Sequence, residues 1–290
     1  MSTSALSHLD PAAALLEEAS QLKVFPAAAL RVQKLSRDPD ATARDMANAV
    51  MADPVLASRL VRFANSPFYG VARQVVSIED AIKILGFRQT QDVALALAIY
   101  AIGDPTSPYR ERLWQHATGT AVLARLLAKY VRGTPSGVAF LAGLIHDIGA
   151  QVFLQVREED YRAILDRFRD GDPRVLIEEK KAFGMDHAFF GAACLEAWEF
   201  PEIVRHAVAE HHRVRALNRG QQAPALVLPA IVSLSEVLVA AAHAGADPEI
   251  LMLRAVRDPL NKIIGLTEGQ LEIALEVFEE EREVLVSILS

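Results

Sequence analysis

One cysteine in 290 residues, Cys194, leaves this chain without an internal disulfide or a multi-cysteine zinc site, and the expected compartment is a reducing one. Its neighbours mark it as a packed helix position. The N-terminus has no basic segment followed by an apolar run, so nothing there reads as a secretory signal. Long hydrophobic runs are scarce as well. Val93 to Ile102 is about half of the roughly 20 residues a membrane span needs. Leu226 to Ala246 is interrupted by Pro229, Ser233, Ser235, Glu236 and His243. Membrane insertion is not expected, and a soluble cytoplasmic protein is the plain reading. An excess of positive charge is absent too: the net charge of -7 argues weakly against non-specific binding to nucleic-acid backbones. Arg205, Arg213, Arg215 and Arg219 form one local basic group, read as a solvated face ahead of a phosphate-contacting rim.

Strand signals, internal repeats and low-complexity segments are missing, while helix signals recur. With 51% hydrophobic residues, the chain can supply substantial cores. Asp10-Pro11, Pro26 and Asp53-Pro54 read as helix starts with proline in the first turn, and Thr42 with Asp45, Ser77 with Asp80 and Thr267 with Gln270 have capping-box spacing. Apolar residues at helical spacing follow, such as Leu56, Leu60, Val61 and Ala64. Ile78 to Leu85, Gly86 and Gln91 to Ile102 form a helix-turn-helix-like pair. The second helix is nearly all Ala, Leu, Val and Ile, without base-reading side chains, so it reads as buried packing and no DNA partner is expected. Gly103 to Pro108 has linker composition and places a boundary between residues 1–104 and 109–290. A helix is expected from about Arg110 to Val131, others over Arg174 to Phe183 and Pro224 to His243, and a polar loop over Arg213 to Ala223. The fold class is all-α.

The chemistry lies in the second part. Phe140 to Ala150 places His146 and Asp147 inside an apolar helix that is expected to stop at Gly149. A buried imidazole and carboxylate must be hydrogen-bonded, charge-paired or metal-bound, because an unsatisfied buried polar group costs about 1–3 kcal/mol. Other helices add His116, His187, His211 and His212, so five of the eight histidines fall in one ordered series. Imidazole and carboxylate suit iron, manganese, zinc or nickel rather than calcium, and helical proteins build such sites from side chains shared between helices. The alternative is a hydrogen-bonded polar core with no metal. His206 and His243 fall outside the series and read as ordinary histidines.

These words, taken together, resemble the HDOD family, the HD-related output domain within the HD superfamily of metal-dependent phosphohydrolases. The resemblance is carried by Phe25-Pro26, Asp53-Pro54 with Ala64-Asn65-Ser66, Ser77-Ile78 with Leu85-Gly86, Leu113-Trp114-Gln115-His116, Gly143 through Gly149, Asp186-His187 with Gly191 and Trp198, and His211-His212. It spans about Leu15 to Ala242. It implies an N-terminal helical bundle packed on an HD-like bundle, and a role in bacterial signal transduction, acting mainly through protein contacts. With no receiver or other sensory segment in the sequence, a stand-alone member with an unidentified signalling partner is expected.

Departures from the hydrolytic relatives shape the functional expectation. Those with a Gly-Tyr-Pro extension carry a lysine three residues after the aspartate, where this chain has Ala150, and the extension itself, used on cyclic di-GMP, is absent after His212. A missing cation removes transition-state stabilisation that is worth several kcal/mol in such sites. Arg112 stands four residues before His116, where the resemblance implies a glutamate ligand. The late aspartate has no match, although Glu236 lies near its place. The expected metal ligands are therefore His116, His146, Asp147, His187, His211 and His212, with Glu236 as an additional candidate, in a degenerate site of a non-catalytic regulatory module. The rival is a phosphohydrolase acting on a nucleotide or cyclic dinucleotide, in which Asp147 would be catalytic. A receptor for a nucleotide second messenger is a third reading, resting on the arginines beyond His212.

Overall fold

A computed structural model describes residues 27–35, 38–65, 69, 71, 73–100, 106–168, 171–217 and 224–289, together with Leu15 and Glu17. The expected starts at Asp10-Pro11 and Pro26, the boundary at 103–105 and Arg219 lie outside the described residues. All regular structure among them is helical, as the patterning predicts.

Five helices make the first part: α1 (Ala27–Leu35), α2 (Ala43–Met51), α3 (Pro54–Ala64), α4 (Ile78–Leu85) and α5 (Phe87–Tyr100). Their starts follow local chemistry. Thr42 and Asp45 satisfy each other's backbone N–H groups in a reciprocal cap, and Asp53 accepts from the N–H groups of Val55 and Leu56 ahead of Pro54. Ser77 accepts from Asp80 N–H. Asn65 closes α3 with its side chain, donating to Val61 O at 2.9 Å and Val75 O at 2.7 Å while accepting from Val75 N–H at 2.7 Å. Gly86, at φ 78°, turns the chain so that α5 begins at Phe87, four residues earlier than expected. Helix α5 buries Val93, Ala94, Leu97 and Ala98 in the core.

The second part is built around α6 (Pro108–Ala128), which is buried on nearly every side from Leu113 onward. A helix buried all round needs apolar or small residues on every face, which is what Ala117 to Ala124 provides. Against α6 pack α7 (Ser136–Ile145), α14 (Val227–His243, entered through a 3₁₀ turn at Pro224–Leu226) and α17 (Glu268–Leu289). The remaining helices are α8 (Ile148–Val156), α9 (Glu158–Leu165), α10 (Arg174–Phe183), α11 (His187–Ala197), α12 (Glu202–Glu210), α13 (Val214–Leu217), α15 (Pro248–Arg257) and α16 (Asn261–Ile264). Helix α17 also touches α3, and an Arg125–Glu281 ion pair ties it to α6. Cys194 is core, and burial pushes its thiol up to about 12.

Three expectations change. Gly149 does not end a helix: the break falls at His146-Asp147, between α7 and α8, and Gly149 lies inside the first turn of α8. The segment after His212 is not all loop, since α13 occupies Val214–Leu217, with 218–223 outside the described residues. The expectation that every apolar run falls short of a membrane span changes too, although the helix expected over Pro224 to His243 is present with those bounds. Ser136–Val156 and Pro224–His243 are long and apolar enough to cross a membrane by length and composition, but they are 83% and 67% buried inside the fold. Pro229 interrupts nothing, because it sits in the first turn of α14, where its missing N–H costs no hydrogen bond.

Candidate metal centre

The site is assembled by three glycines that let backbones meet. A Cβ on Gly149 would lie 2.0 Å from His187 O and 2.7 Å from Gly191 N, and one on Gly191 would lie 2.9 Å from Gly149 N. The first turns of α8 and α11 are therefore in backbone contact, which brings Asp147 beside His187. Gly143 does the same between α7 and α6, its absent Cβ falling 2.8 Å from Ala121 Cα, and so sets the distance from His146 to His116.

All seven residues named from the sequence come together. Asp147 sits at the centre. Its Oδ1 is 3.1 Å from His187 Nε2 and 3.7 Å from His211 Nε2, while its Oδ2 is 3.3 Å from His146 Nε2 and 3.8 Å from His116 Nε2. His187 Nε2 lies 3.0 Å from His212 Nε2, and His212 Nδ1 lies 3.7 Å from Glu236 Oε1. The ligand atoms form three overlapping groups able to hold a metal ion: Asp147 with His187, His211 and His212; His116 and His146 with Asp147; and His146 and His211 with Glu236. Neither His206 nor His243 joins them.

The far nitrogens fix the rings. His146 Nδ1 donates to Gly143 O at 2.7 Å and His211 Nδ1 to Val208 O at 2.6 Å, both within their own helix turn. Because a carbonyl only accepts, each Nδ1 carries a proton, which leaves each Nε2 as the ring atom that faces the centre and could ligate. Neither Nε2 has a hydrogen-bond partner, nor does Asp147 Oδ1. His187 is held by a residue that sequence reasoning missed. Glu179 on α10, fully buried, accepts from His187 Nδ1 at 2.8 Å, from His187 N–H at 2.9 Å and from the Tyr161 hydroxyl at 2.8 Å. One signal could have exposed it: Glu179 lies four residues from both Val175 and Phe183, on the apolar stripe of an otherwise charged helix.

The electrostatics follow from this geometry. Burial works against a charge on His187, but Glu179 and Asp147 outweigh it and raise its pKa well above the ordinary value. Burial would likewise protonate Asp147, yet His146 and His187 hold it well below the usual carboxylate range. Burial and the neighbouring His212 keep His211 neutral, while burial and His187 depress His212 to about 3. Burial also opposes a charge on His146, but Asp147 outweighs it and raises its pKa. Without a metal, His146 and His187 therefore favour the charged form while His211 and His212 stay neutral. A borderline divalent cation would displace those protons and take the ring nitrogens and the ionised carboxylate as donors. The residues present fit such an ion.

A cavity of about 270 Å³ opens beside the cluster, lined by His116, Asp147, His187, His212 and Glu236 and by apolar side chains including Leu113, Phe168 and Val175. Ala150 lines it where the hydrolytic relatives' lysine is expected. Arg112 lines it too, its guanidinium 3.4 Å from Leu165 O. The supposed basic rim is largely neutralised: Arg205 pairs with Glu196 at 2.8 Å, Arg215 forms a bidentate pair with Asp258 at 3.0 and 2.8 Å, and Arg213 stacks over Phe189 at 3.7 Å.

An uncharacterized protein of Treponema pallidum (strain Nichols) is 27% identical over 207 residues, covering 70% of this chain; the match spans 40% of that relative's length. A crystal structure from Shewanella amazonensis SB2B, provisionally described as a phosphohydrolase, superposes with a TM-score of 0.77 at 22% identity, covering 96% of this chain and 99% of the other. One from Marinobacter aquaeolei VT8, provisionally described as a signal transduction protein, gives 0.69 at 24% identity, covering 94% and 61%. These likenesses establish the fold. The HDOD domain model matches residues 22–214, two thirds of the sequence, and the chain belongs to the HDOD domain family.

Proposed function

We propose that this chain is a regulatory HDOD module that holds a divalent transition metal in its buried histidine–aspartate cluster and signals through protein contacts rather than by hydrolysis. Ala150 carries the proposal. It occupies the cavity wall three residues after Asp147 and is buried, with no charge to offer a phosphoryl oxygen. Asp147, His146, His187, His211 and His212 would hold the ion, with His116 and Glu236 at the flanks. When bound, a metal in such a site polarises phosphoryl oxygens and lowers the pKa of water. The chain's own residues do the rest: Gly143 O, Val208 O and Glu179 orient the rings, and Leu113, Phe168 and Val175 restrict water. The donor set serves here to lock α6, α7, α8, α11 and α12 into one arrangement, as structural metal sites do.

Metal analysis of the purified protein, followed by phosphatase and phosphodiesterase screens with manganese or iron supplied, tests the reading. Bound metal lost in Asp147→Ala, with no turnover in either protein, is expected. Turnover that Asp147→Ala abolishes would replace this reading with the phosphohydrolase one, which is favoured by the open cavity beside the full ligand set and by Arg112 at its wall.

A further inference from the structure

Far from the metal cluster, α15 and α17 leave a groove of about 530 Å³ between them. Its floor is apolar: Leu251, Met252, Val256 and Leu275. Leu253, on the same wall, is 48% exposed, and Ile250 and Ile273 on the same two helices are 49% and 52% exposed. A soluble surface seldom gathers this much apolar side chain without an occupant. Along one lip run Glu268, Glu272 and Glu276, each four residues after the last and so in one row on α17, and Glu249 stands on the opposite wall. None of these four carboxylates has an ion-pair partner among the described residues. The α15 arginines Arg254 and Arg257 line a separate depression with Arg215 and Asp258.

We propose that this groove docks a basic amphipathic helix of a partner protein, its apolar stripe on Met252 and Leu275 and its lysines or arginines against the Glu268–Glu272–Glu276 row. Charge complementarity selects this occupant. A second copy presenting the same face would set carboxylates against carboxylates, and an anionic lipid surface would be repelled for the same reason. The row rises about 12 Å along α17, so a partner helix of about three turns, with cations at i, i+4 and i+7 beside apolar positions, matches it. Methionine on the floor adapts to imperfect apolar surfaces. The inference deepens the signalling reading by naming a surface for it, but it does not depend on metal at the cluster.

The test uses the full chain and a fluorescein-labelled 18-residue helical peptide with a leucine stripe flanked by lysines, read by anisotropy. Expected are micromolar binding, weakening of at least tenfold in Glu268→Lys/Glu272→Lys/Glu276→Lys and in Met252→Lys, and amide-exchange protection confined to 248–256 and 268–276. Asp147→Ala should bind as the wild type does, which separates failure here from failure of the metal reading. Equal binding of a peptide with glutamates in place of lysines, protection elsewhere, or no effect of the charge reversal would overturn the proposal. So would a dimer that Met252→Lys dissociates, because it would assign the groove to a second copy.

Discussion

Polar side chains do opposite work in the two parts of this molecule. Between residues 27 and 100 they act on nearby backbone: Thr42, Asp53, Asn65 and Ser77 each satisfy N–H or C=O groups within ten residues. Few polar side chains there are buried, Gln33 and Thr90 among them. Beyond residue 106 local caps recur at Asp186, Asp247 and Thr267, but a buried set of polar groups also acts across helices, with Asp147, His187, His211, Glu179 and Glu236 brought from five different elements. The first kind of structure is written locally and tolerates substitution one residue at a time. The second depends on backbone approach distances, and its members fail together.

The comparison predicts its strongest contrast between two glycines. Gly149→Ala puts a methyl carbon into a space where His187 O lies at 2.0 Å, so α8 and α11 must separate. The expected cost is about 3 kcal/mol or more, with loss of bound metal, because overpacking a backbone contact leaves nothing flexible to yield. Gly86→Ala meets open space and carries only the backbone strain of φ 78° with ψ 161°, a region almost confined to glycine, about 1–3 kcal/mol, with metal content unchanged. Thermal melts with metal analysis check both, and equal effects would break the distinction between the two parts.

Glu179 sharpens it next. Glu179→Ala leaves His187 Nδ1 and the Tyr161 hydroxyl without their buried acceptor, costing about 2–3 kcal/mol in the metal-free protein and about 10- to 100-fold in metal affinity. Urea denaturation and a chelator competition titration measure the two separately. A stability loss with unchanged affinity would make Glu179 a packing residue only.

These residues also show what can be read before the structure. Helix class, the Thr42, Asp53, Ser77 and Thr267 starts and all seven cluster residues are legible in the sequence. The starts are legible because a cap depends on neighbours within three residues, the six His and Asp residues because metal-capable side chains recur along successive helices, and Glu236 only through the family resemblance. Gly149 is visible but deceptive: a glycine ending an apolar run looks the same whether it terminates a helix or admits a second backbone, and only the partner helix decides. Glu179 is hidden because α10 is otherwise a solvated Arg/Glu/Lys helix, and its one inward carboxylate is meaningful only once α11 lies against it.

Acid sensitivity separates the parts by a smaller amount. His212 titrates at about 3 when folded, against 6.5 for an ordinary histidine, because burial and His187 oppose its charge. The unfolded chain therefore binds more protons between those values, so this contribution is complete above pH 6.5 and falls as pH falls. At pH 5.5 the loss is about 1 kcal/mol, discounted because a fifth of the side chain still meets water. His187 runs the other way: with its folded value raised, its contribution is present below 6.5 and lost as pH rises through that raised value. In metal-free protein, His212→Gln should flatten the acid limb of a urea-midpoint profile between pH 6.5 and 5. An unchanged slope would show that His212 is not held neutral.

Asp53 gives the smallest effect and the cleanest control. Its carboxylate accepts from Val55 N–H at 2.9 Å and Leu56 N–H at 3.1 Å, two of the donors that the start of α3 leaves without helical partners. Asp53→Ala should cost about 1 kcal/mol, and Asp53→Asn, which keeps an oxygen in the same place, only a few tenths. Neither should alter metal content, since α3 meets the second part by packing on α17 and by setting Phe63 against Phe140, and contributes no atom to the cluster. If Asp53→Ala lowered metal occupancy beyond what its stability loss accounts for, the two parts would be coupled through those contacts. The local chemistry of the first part would then set the geometry of the second.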